Sequence, residues 1–402
     1  MLGALWLLVA GLSAGIQDQA SPGAQSPDPT LTHTFRVETI ADGLINPWSL
    51  AFLPNGDVLV TERPGRLRII RKGVLDPRPI SGVPAVLART QGGLLDVALH
   101  PDFATNRLLY LSFTTRTADG SATTEAIVRG RFDGSTFADV TGIFQAKMLP
   151  SRSVIAMAGR LAFDHEGYLY LTLGDRALPT DGDLTKHVAQ DLSNHMGKTV
   201  RLHDDGRVPA DNPFVGRAGS LPEIWSYGHR NAQGMAFHPT TGDLWQSESS
   251  AQGGDELNVI RRGANYGWPV IGFSREYGGA VLHEATAREG MEQPVHQWTP
   301  AIVPSGLMIY TGRRFPNWRD NIFVAGLGGL QLSRVIVNGR RFVAEEVLLK
   351  NALGRLRDVR QGPDGYIYVA IDGGVQGQPT AVVRLVPAPS TITDRAGRRH
   401  RW

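Results

Sequence analysis

The chain has 402 residues, 42% of them hydrophobic, with a net charge of +3 and no cysteine. The length and the apolar fraction suffice for a large core. The lack of cysteine excludes a disulfide framework, a cysteine-ligated zinc site and a thiol nucleophile. Lysine and arginine are scattered along the chain, whereas nucleic-acid binding needs a clustered basic face. We therefore predict no nucleic-acid partner.

The first predicted element is an apolar segment, residues 3–15. Its length is too short to span a membrane and is typical of the hydrophobic region of a signal peptide. No lysine or arginine precedes it, and tripeptides ending at Ala14 and Ala20 are candidate cleavage sites. We predict a signal peptide over residues 1–20 and a periplasmic or secreted protein with no stable membrane insertion. The alternatives are a buried apolar segment or a start codon placed too late.

Polar segments flank the rest of the chain. Residues 21–34 are rich in Ser, Pro, Asp and Thr and predict a disordered linker, because such a composition cannot bury enough apolar surface to fold. Residues 389–402 predict a flexible tail. We expect one folded domain over residues 35–388, since no Pro/Ser-rich linker divides that stretch. Several independent β domains are the alternative.

A repeated pattern predicts the fold of this domain. An apolar run, a turn rich in Pro, Asp and Gly, and a second β-rich run recur at 50–62, 97–113, 161–175, 235–248, 308–326 and 359–372. The turn residues favour tight reversals, and the runs suit buried strands. A four-stranded blade needs roughly 40–50 residues, and insertions explain the units that are longer than this. We predict an all-β, six-bladed β-propeller with four-stranded blades, closed by pairing 35–40 with 381–387.

Two long stretches interrupt the pattern, residues 176–233 and 250–300, and both are rich in Gly, Asn, Asp, His and Trp. Long loops on a rigid scaffold often carry function. Arg230 and Asn231 lie side by side in the first stretch, where they would form a donor fork for a planar anion at a loop tip. The alternative is an arginine that only pins its loop.

Further polar residues stand at strand ends or in turns. Arg355 and Arg357 are two apart and would share one face of a strand, where they repel each other unless an anion lies between them. A solvated face is the alternative. Glu256 and Tyr266 lie in turn-prone backbone of the kind that binds Ca²⁺, or else they are a surface glutamate and a core tyrosine. Gln91 and Asp175 also stand at strand ends, each a weak candidate alone.

Several longer motifs resemble one known family. They are QGGLLDVALHPDF, GRLAFDHEGYLYLTLGD, AQDLSNHMGKTVRL, SYGHRNAQGMAFHP, GGDELNVIRRGANYGWP and LRDVRQGPDG. Together they resemble the soluble pyrroloquinoline-quinone (PQQ) dependent glucose/aldose sugar dehydrogenases, the glucose/sorbosone dehydrogenase family, over roughly residues 38–388. The resemblance implies a six-bladed propeller that holds PQQ and Ca²⁺ at one end of its channel. It also implies oxidation of an aldose sugar or related polyol by hydride transfer to the quinone, with a quinone or cytochrome as the electron acceptor.

The resemblance also implies roles for single residues. It assigns cofactor contacts to Gln91, Arg230, Asn231, Arg355 and Arg357, a structural Ca²⁺ to Glu256 and Tyr266, and backbone carbonyls near the cofactor Ca²⁺ to Ser250 and Ala251. Asp175 matches the aspartate that orients the catalytic histidine. The arginines suit a flat tricarboxylate, and Ca²⁺ would polarise the quinone as a Lewis acid.

Two departures from the family pattern concern catalysis. Ala156 stands four residues before Arg160, where the family has the histidine that serves as general base, and alanine cannot accept a proton. Gly328 stands about where the sugar dehydrogenases have a lysine. Three explanations follow: another base, a protein that binds PQQ or a sugar without turnover, or a shift to a non-sugar ligand. A different propeller enzyme, such as a lactonase with a carboxylate-bound Ca²⁺, is a further alternative.

The candidate replacement bases are Asp175, His187, His195 and His229. His165 lies in the turn of the third repeat and is expected to face away from the channel.

Overall fold

Six four-stranded antiparallel sheets make up the computed structural model, which describes residues 33–374 and 377–388. The predicted signal peptide, most of the predicted linker and the predicted tail lie outside the described residues. The all-β six-bladed propeller is confirmed. One α-helix, α1 (Phe103–Asn106), and short 3₁₀ turns at Leu184–Lys186 and Pro316–Trp318 accompany the strands. No helix in the described part of the chain is long and apolar enough to cross a membrane.

The strands follow the chain blade by blade after β1 (Phe35–Ile45), which belongs to the last blade. Blade 1 is β2 (Pro47–Phe52), β3 (Val58–Glu62), β4 (Arg66–Arg71) and β5 (Val74–Leu75). Blade 2 is β6 (Leu94–Leu99), β7 (Leu108–Arg116), β8 (Thr123–Phe132) and β9 (Phe137–Gln145). Blade 3 is β10 (Leu161–Phe163), β11 (Leu169–Leu173), β12 (Lys198–Leu202) and β13 (Ile224–Tyr227).

The second half of the ring repeats this order. Blade 4 is β14 (Ala232–Phe237), β15 (Leu244–Glu248), β16 (Asp255–Ile260) and β17 (His296–Trp298). Blade 5 is β18 (Pro304–Ile309), β19 (Ile322–Gly326), β20 (Gln331–Asn338) and β21 (Arg341–Leu348). Blade 6 is β22 (Leu356–Gln361), β23 (Ile367–Ile371) and β24 (Pro379–Pro387), with β1 as its fourth strand. The six sequence repeats are therefore the first two strands of each blade.

The turn within each repeat has a physical cause in its sequence. In blade 3 the Asp164 carboxylate accepts hydrogen bonds from the backbone N–H of Glu166 and Tyr168 at 3.0 and 2.9 Å. Gly167 follows with φ of +84°, a conformation that disfavours other residues. In blade 1 a related turn uses Asn55, whose Oδ1 accepts from Asp57 N at 3.1 Å, and Gly56 with φ of +87°. His165 is exposed in the blade 3 turn, at the end of the blade opposite Ala156.

The ring closes through the pairing of β1 with β24, as the sequence predicts. Phe35 is opposite Pro387, and Glu38 is opposite Arg384. Glu38 and Arg384 also form an ion pair of 2.7 Å. Because one sheet joins both ends of the domain, the last blade cannot fray without opening the ring.

The central axis is surrounded by the first strands of the blades, which contact one another around it. Arg160 is fully buried there, with its Nη atoms 3.3 Å from carboxylate oxygens of Asp96 and of Asp358. The Arg160 guanidinium also lies 4.3 Å from the ring centroid of Trp48. These paired charges fill the middle of the propeller.

Candidate functional site

A cavity of about 330 Å³ lies at one end of the propeller. At this end the chain enters the first strand of each blade and leaves its second strand. Seven of the predicted site residues line it: Gln91, Arg230, Asn231, Ser250, Ala251, Arg355 and Arg357. Ala156 also lines it, so the position of the missing histidine faces the same space. The structure therefore brings the predicted cofactor residues together, although their roles stay predictions.

The charged side chains that line this cavity are four arginines and one aspartate, a net charge of +3. Arg357 donates from Nε and Nη2 to Asp372 Oδ2 at 2.9 and 2.6 Å. Its Nη1 donates to Gln233 Oε1 at 2.8 Å. Burial alone would raise the pKa of Asp372, but Arg357 and other hydrogen-bond donors hold it at about 2. Asp372 is therefore ionised at neutral pH, and the arginine excess remains.

Arg355 and Arg357 line the same cavity, as expected, but strand alternation is not the reason. The pairing of β22 with β23 shifts register between Leu356 and Asp358, so simple alternation does not set their direction. The protein also supplies an anion between them, since Asp372 Oδ1 lies 4.0 Å from Arg355 Nε. Arg355 is 44% exposed at its side chain. Arg355 is therefore less engaged than Arg357.

Arg230 and Asn231 lead directly into β14 and are buried, which corrects the expectation of an exposed loop tip. Arg230 Nη1 donates to Ser249 O at 3.2 Å and also to Ser250 O, while Nη2 donates to Tyr277 Oη at 3.3 Å. Asn231 Nδ2 donates to Ser249 Oγ at 3.3 Å. Asn231 Oδ1 is buried and has no protein partner among the described residues. An unpaired buried acceptor beside a cavity is typical of a ligand contact.

Ala156 is held firmly in place although it lacks a functional side chain. Its backbone N–H donates to Gln91 Oε1 at 2.8 Å, and Arg176 Nη1 donates to its carbonyl at 3.3 Å. Its φ is +48°, which is uncommon for a residue other than glycine. A Cβ at Gly174 would collide with the Ala156 carbonyl, so glycine there lets the two loops meet. The framework around the missing base is therefore present.

The three candidate replacement histidines lie elsewhere, and none is among the described residues that line this cavity. His187 Nδ1 accepts from Ala189 N at 3.2 Å. His195 Nδ1 accepts from Lys147 N at 2.9 Å. His229 contacts Glu248 Oε1 at 2.9 Å and Ser226 Oγ at 2.8 Å. None of them takes the place of the missing histidine in this structure.

Asp175 lies in an adjoining cavity of about 470 Å³, which shares Arg230, Ala251 and Tyr277 with the first cavity. Its Oδ2 accepts from Trp268 Nε1 at 2.8 Å, and its Oδ1 accepts from Ala177 N at 2.8 Å. Burial raises the pKa of Asp175, and the nearby positive charge of Arg230 opposes that rise. The result is a fully buried carboxyl group that is a stronger proton acceptor than an exposed aspartate.

Glu256 faces Glu248 on the neighbouring strand, because the two residues are directly opposite in the β15–β16 pair. Burial and the charge of Glu248 raise the pKa of Glu256 to about 8. A small enclosed space is lined by both glutamates together with Ser249, Ser250 and Tyr266. Glu256 is therefore mostly protonated at neutral pH, and a nearby cation would favour its ionised form, so the pair suits a bound cation.

The two oxygens of Tyr266 differ in how free they are to bind a metal. The Tyr266 hydroxyl donates to Val259 O at 2.7 Å and accepts from Arg261 N at 2.8 Å, so it is already used. Any ligand from Tyr266 would be its backbone carbonyl. No group of three or more His, Asp or Glu side chains suited to a metal occurs in the described part of the chain. A Ca²⁺ site here would therefore depend on carbonyl oxygens.

Several residues at the site were not found from the sequence. Arg63, Gln233, Tyr277 and Asp372 line the first cavity, and Trp268 lines the second. Asp372 follows the second strand of its repeat, as Asp175 does in the third repeat, so alignment of the repeats could have found it. Arg63 holds the same place in the first repeat. Tyr277 lies in a long loop that has no counterpart in other blades, and no sequence signal pointed to it.

Fold and site together define a six-bladed propeller protein with an arginine-lined cavity at one end. The glucose/sorbosone dehydrogenase family matches residues 44–381. The aldose sugar dehydrogenase YliI of Escherichia coli (strain K12) is 42% identical over 345 residues, covering 84% of this chain and 90% of the relative.

Solved structures agree with this match. The apo crystal structure of the soluble aldose sugar dehydrogenase from Escherichia coli has a TM-score of 0.81 at 39% identity, covering 88% of this chain and 100% of that one. The PQQ-bound aldose sugar dehydrogenase from Streptomyces coelicolor has a TM-score of 0.70 at 31% identity, covering 88% of this chain and 99% of that one. The chain belongs to the glucose/sorbosone dehydrogenase family, which confirms the resemblance seen in the sequence.

Proposed function

We propose that this protein binds PQQ in the arginine-lined cavity and oxidises an aldose sugar or related polyol. One observation carries the proposal: four arginines and a single aspartate line one cavity, which leaves a net charge of +3. PQQ is a flat tricarboxylate, so its charge complements this excess. The cavity volume of about 330 Å³ lies within the usual range for small-ligand sites. Arginine forks bind carboxylates in two parallel hydrogen bonds.

Each wall of the cavity would hold a different part of the cofactor. Arg355 is partly free of protein partners and suits a carboxylate, while Asn231 Oδ1 is an unpaired acceptor in the wall formed by blade 4. Gln91 is held against the Ala156 backbone, so its amide nitrogen remains available to donate. The bound quinone would supply a two-electron acceptor for hydride from a sugar carbon.

The proton of the substrate hydroxyl must go to a base, and Asp175 is our candidate for that base. Its pKa is raised by burial, and it lines the cavity that adjoins the cofactor cavity. Asp175 would accept the proton of the substrate hydroxyl, and the hydride of the same carbon would pass to the quinone when PQQ is bound, so atoms and charge balance. Trp268 Nε1 keeps the carboxylate oriented through its 2.8 Å hydrogen bond.

Ca²⁺ fits the paired glutamates better than it fits the loop beside the cofactor cavity. Glu256 lies opposite Glu248 and its pKa is raised to about 8, so it holds its proton at neutral pH, and a bound divalent cation would replace that proton. In contrast, the Ser250 carbonyl already accepts from Arg230, so a Ca²⁺ at Ser250 and Ala251 would share that oxygen with a guanidinium. We propose a structural Ca²⁺ at the glutamate pair.

A second candidate function is binding of PQQ or a sugar without turnover. Its specific support is Ala156, which lines the cavity where the family has its base, together with the lack of a histidine among the described cavity residues. We further propose export to the periplasm or the medium, in keeping with the apolar N-terminal segment, and electron transfer to a quinone or cytochrome acceptor.

Reconstitution tests the proposal. PQQ and Ca²⁺ are added to the purified protein, and reduction of an artificial dye is followed with a panel of aldoses. We expect slow, PQQ-dependent dye reduction by wild type and none by Asp175→Asn, with unchanged PQQ binding. PQQ binding without any turnover would favour the second candidate, and a folded protein that binds no PQQ would contradict both.

A further inference from the structure

Arg63 is a charged residue of the cavity to which neither the sequence motifs nor the proposed chemistry gives a role. It follows β3 directly, in the place that Asp372 holds after β23 and Ser249 holds after β15. This place in each repeat points toward the loop end of the propeller. Arg63 lines the cofactor cavity together with Arg355 and Arg357, but it enters from blade 1.

The position of Arg63 is fixed by its backbone and by one side-chain bond. Its carbonyl accepts from Leu94 N at 3.0 Å, and its Nη1 donates to Thr90 O at 2.7 Å. Gly93 lies so close that a Cβ there would collide with the Arg63 carbonyl and side chain. A guanidinium has five N–H groups, so most of its donors remain available to a ligand in the cavity.

Among the described residues that line the cavity with Arg63, the one carboxylate is already paired with another arginine. Asp372 is the acid that lines the cavity, and its Oδ2 is bound by Arg357 through two hydrogen bonds. Burial and the charges of Arg357 and Arg355 lower the pKa of Arg63, while Asp372 opposes them. Three guanidiniums therefore share one carboxylate, which leaves room for a second anion.

We propose that Arg63 binds a carboxylate of PQQ and, with Arg355, holds that end of the cofactor from two neighbouring blades. This inference rests on the proposed function, because it needs PQQ in the cavity. It also sets the orientation of the bound ligand. The carboxylate-rich edge of PQQ would point to blades 6 and 1, and its other edge would point to Ala156 in blade 3. Arg63 also holds both ends of the loop that carries Gln91, through its bonds to Thr90 O and Leu94 N.

The test compares PQQ binding by wild type, Arg63→Gln and Arg63→Lys in equilibrium titrations followed by PQQ absorbance. Arg89→Gln is the matched control, because Arg89 is exposed in the same loop and does not line the cavity. We expect Arg63→Gln to weaken binding about 10- to 100-fold, as removal of a charge-assisted bidentate contact does. Arg63→Lys, which keeps the charge but not the fork, should be intermediate, and Arg89→Gln should bind like wild type.

The trimethyl ester of PQQ separates a direct contact from a positioning role. If Arg63 binds a carboxylate, Arg63→Gln loses affinity for PQQ but binds the ester as wild type does. Equal losses for both ligands would mean that Arg63 only positions the loop, and unchanged PQQ affinity would mean that it does neither. Either result overturns the inference. Failure of wild type itself to bind PQQ would instead contradict the proposed function.

Discussion

The two sides of the cavity differ in how much of their chemistry is present. The side formed by blades 6 and 1, the anchor wall, consists of Arg63, Arg355, Arg357 and Asp372. The side formed by blade 3, the reaction wall, consists of Ala156, which lines the same cavity, and Asp175, which lines the adjoining cavity. The anchor wall has more positive charge than its own carboxylate can balance. The reaction wall keeps its aspartate and its backbone framework but has no imidazole.

In the proposed function, cofactor binding and proton removal depend on separate parts of the same propeller. A substitution on the reaction wall can remove a base while the anchor wall keeps its charges, since the two walls belong to different blades. The walls also differ in backbone: Ala156 has φ of +48°, whereas Arg357 lies within a strand, β22.

The largest effect should come from restoring the base on the reaction wall. Ala156→His should raise the PQQ-dependent kcat by about 10²- to 10⁴-fold, the usual contribution of a general base. Ala156 lines the cofactor cavity, and Asp175 lines the cavity that adjoins it, where its carboxylate would orient the imidazole. Steady-state dye reduction with saturating PQQ measures the change.

The matched control is Ile155→His, which places an imidazole on the neighbouring residue that also lines the cavity. That variant should turn over like wild type. An equal rise in both variants would mean that any imidazole suffices, and the particular geometry of position 156 would then be irrelevant.

The next effect concerns stability at the anchor wall. The pKa of Asp372 lies at about 2, below its ordinary value of 3.8, so its ion pair stabilises the fold above pH 4 and this stabilisation is lost as pH falls toward 2. Asp372→Asn should therefore lower the free energy of unfolding by about 2 kcal/mol at pH 7, and by less at pH 3. Urea unfolding at the two pH values measures the difference.

The control for this experiment is Asp364→Asn at the opposite end of the propeller. Asp364 pairs with Arg384 at 3.4 Å and its side chain is 34% exposed, so its loss should cost at most about 1 kcal/mol. The role of the ionised carboxylate would be contradicted if the difference in unfolding free energy between wild type and Asp372→Asn were as large at pH 3 as at pH 7.

The smallest effect is expected at the glutamate pair. Ca²⁺ should raise the Tm of wild type by a few degrees, through mass action on the folded state. Glu256→Gln should abolish this rise because a neutral amide replaces one carboxylate. Without Ca²⁺ the variant should melt near wild type, since glutamine can still accept from Asn258 Nδ2.

Differential scanning calorimetry with and without Ca²⁺ measures both quantities, and Glu166→Gln in an exposed turn serves as the control. A Tm rise that persists in Glu256→Gln would place the ion elsewhere.

The sequence predicted the blades well because their cause is local. Asp164 and Gly167 build a turn from neighbouring residues, and the apolar runs beside that turn are buried on both faces. Repeat spacing then determined the number of blades. The pairing of β1 with β24 could be predicted because a closed ring needs a fourth strand for its last blade.

The site was harder to predict because it depends on contacts between distant residues. Arg357 pairs with Asp372, and Arg230 donates to the Ser249 carbonyl. Both pairs join residues on different strands or loops, and their spacing in the sequence does not predict them. The convergence of Gln91 with Arg355 came from family resemblance rather than from the residues alone. Tyr277 was missed because it belongs to a long loop without a repeat.

Our main claim is that the anchor wall carries the charges to hold PQQ, while the reaction wall lacks the histidine that the family uses as its base. The test is an equilibrium titration of PQQ into wild type and Ala156→His, with kcat measured on the same samples. We predict one PQQ per chain, affinities within about threefold of each other, and a much higher kcat for the variant. A wild-type protein that is folded yet binds no PQQ, whether or not the Ala156→His variant binds it, would contradict the claim.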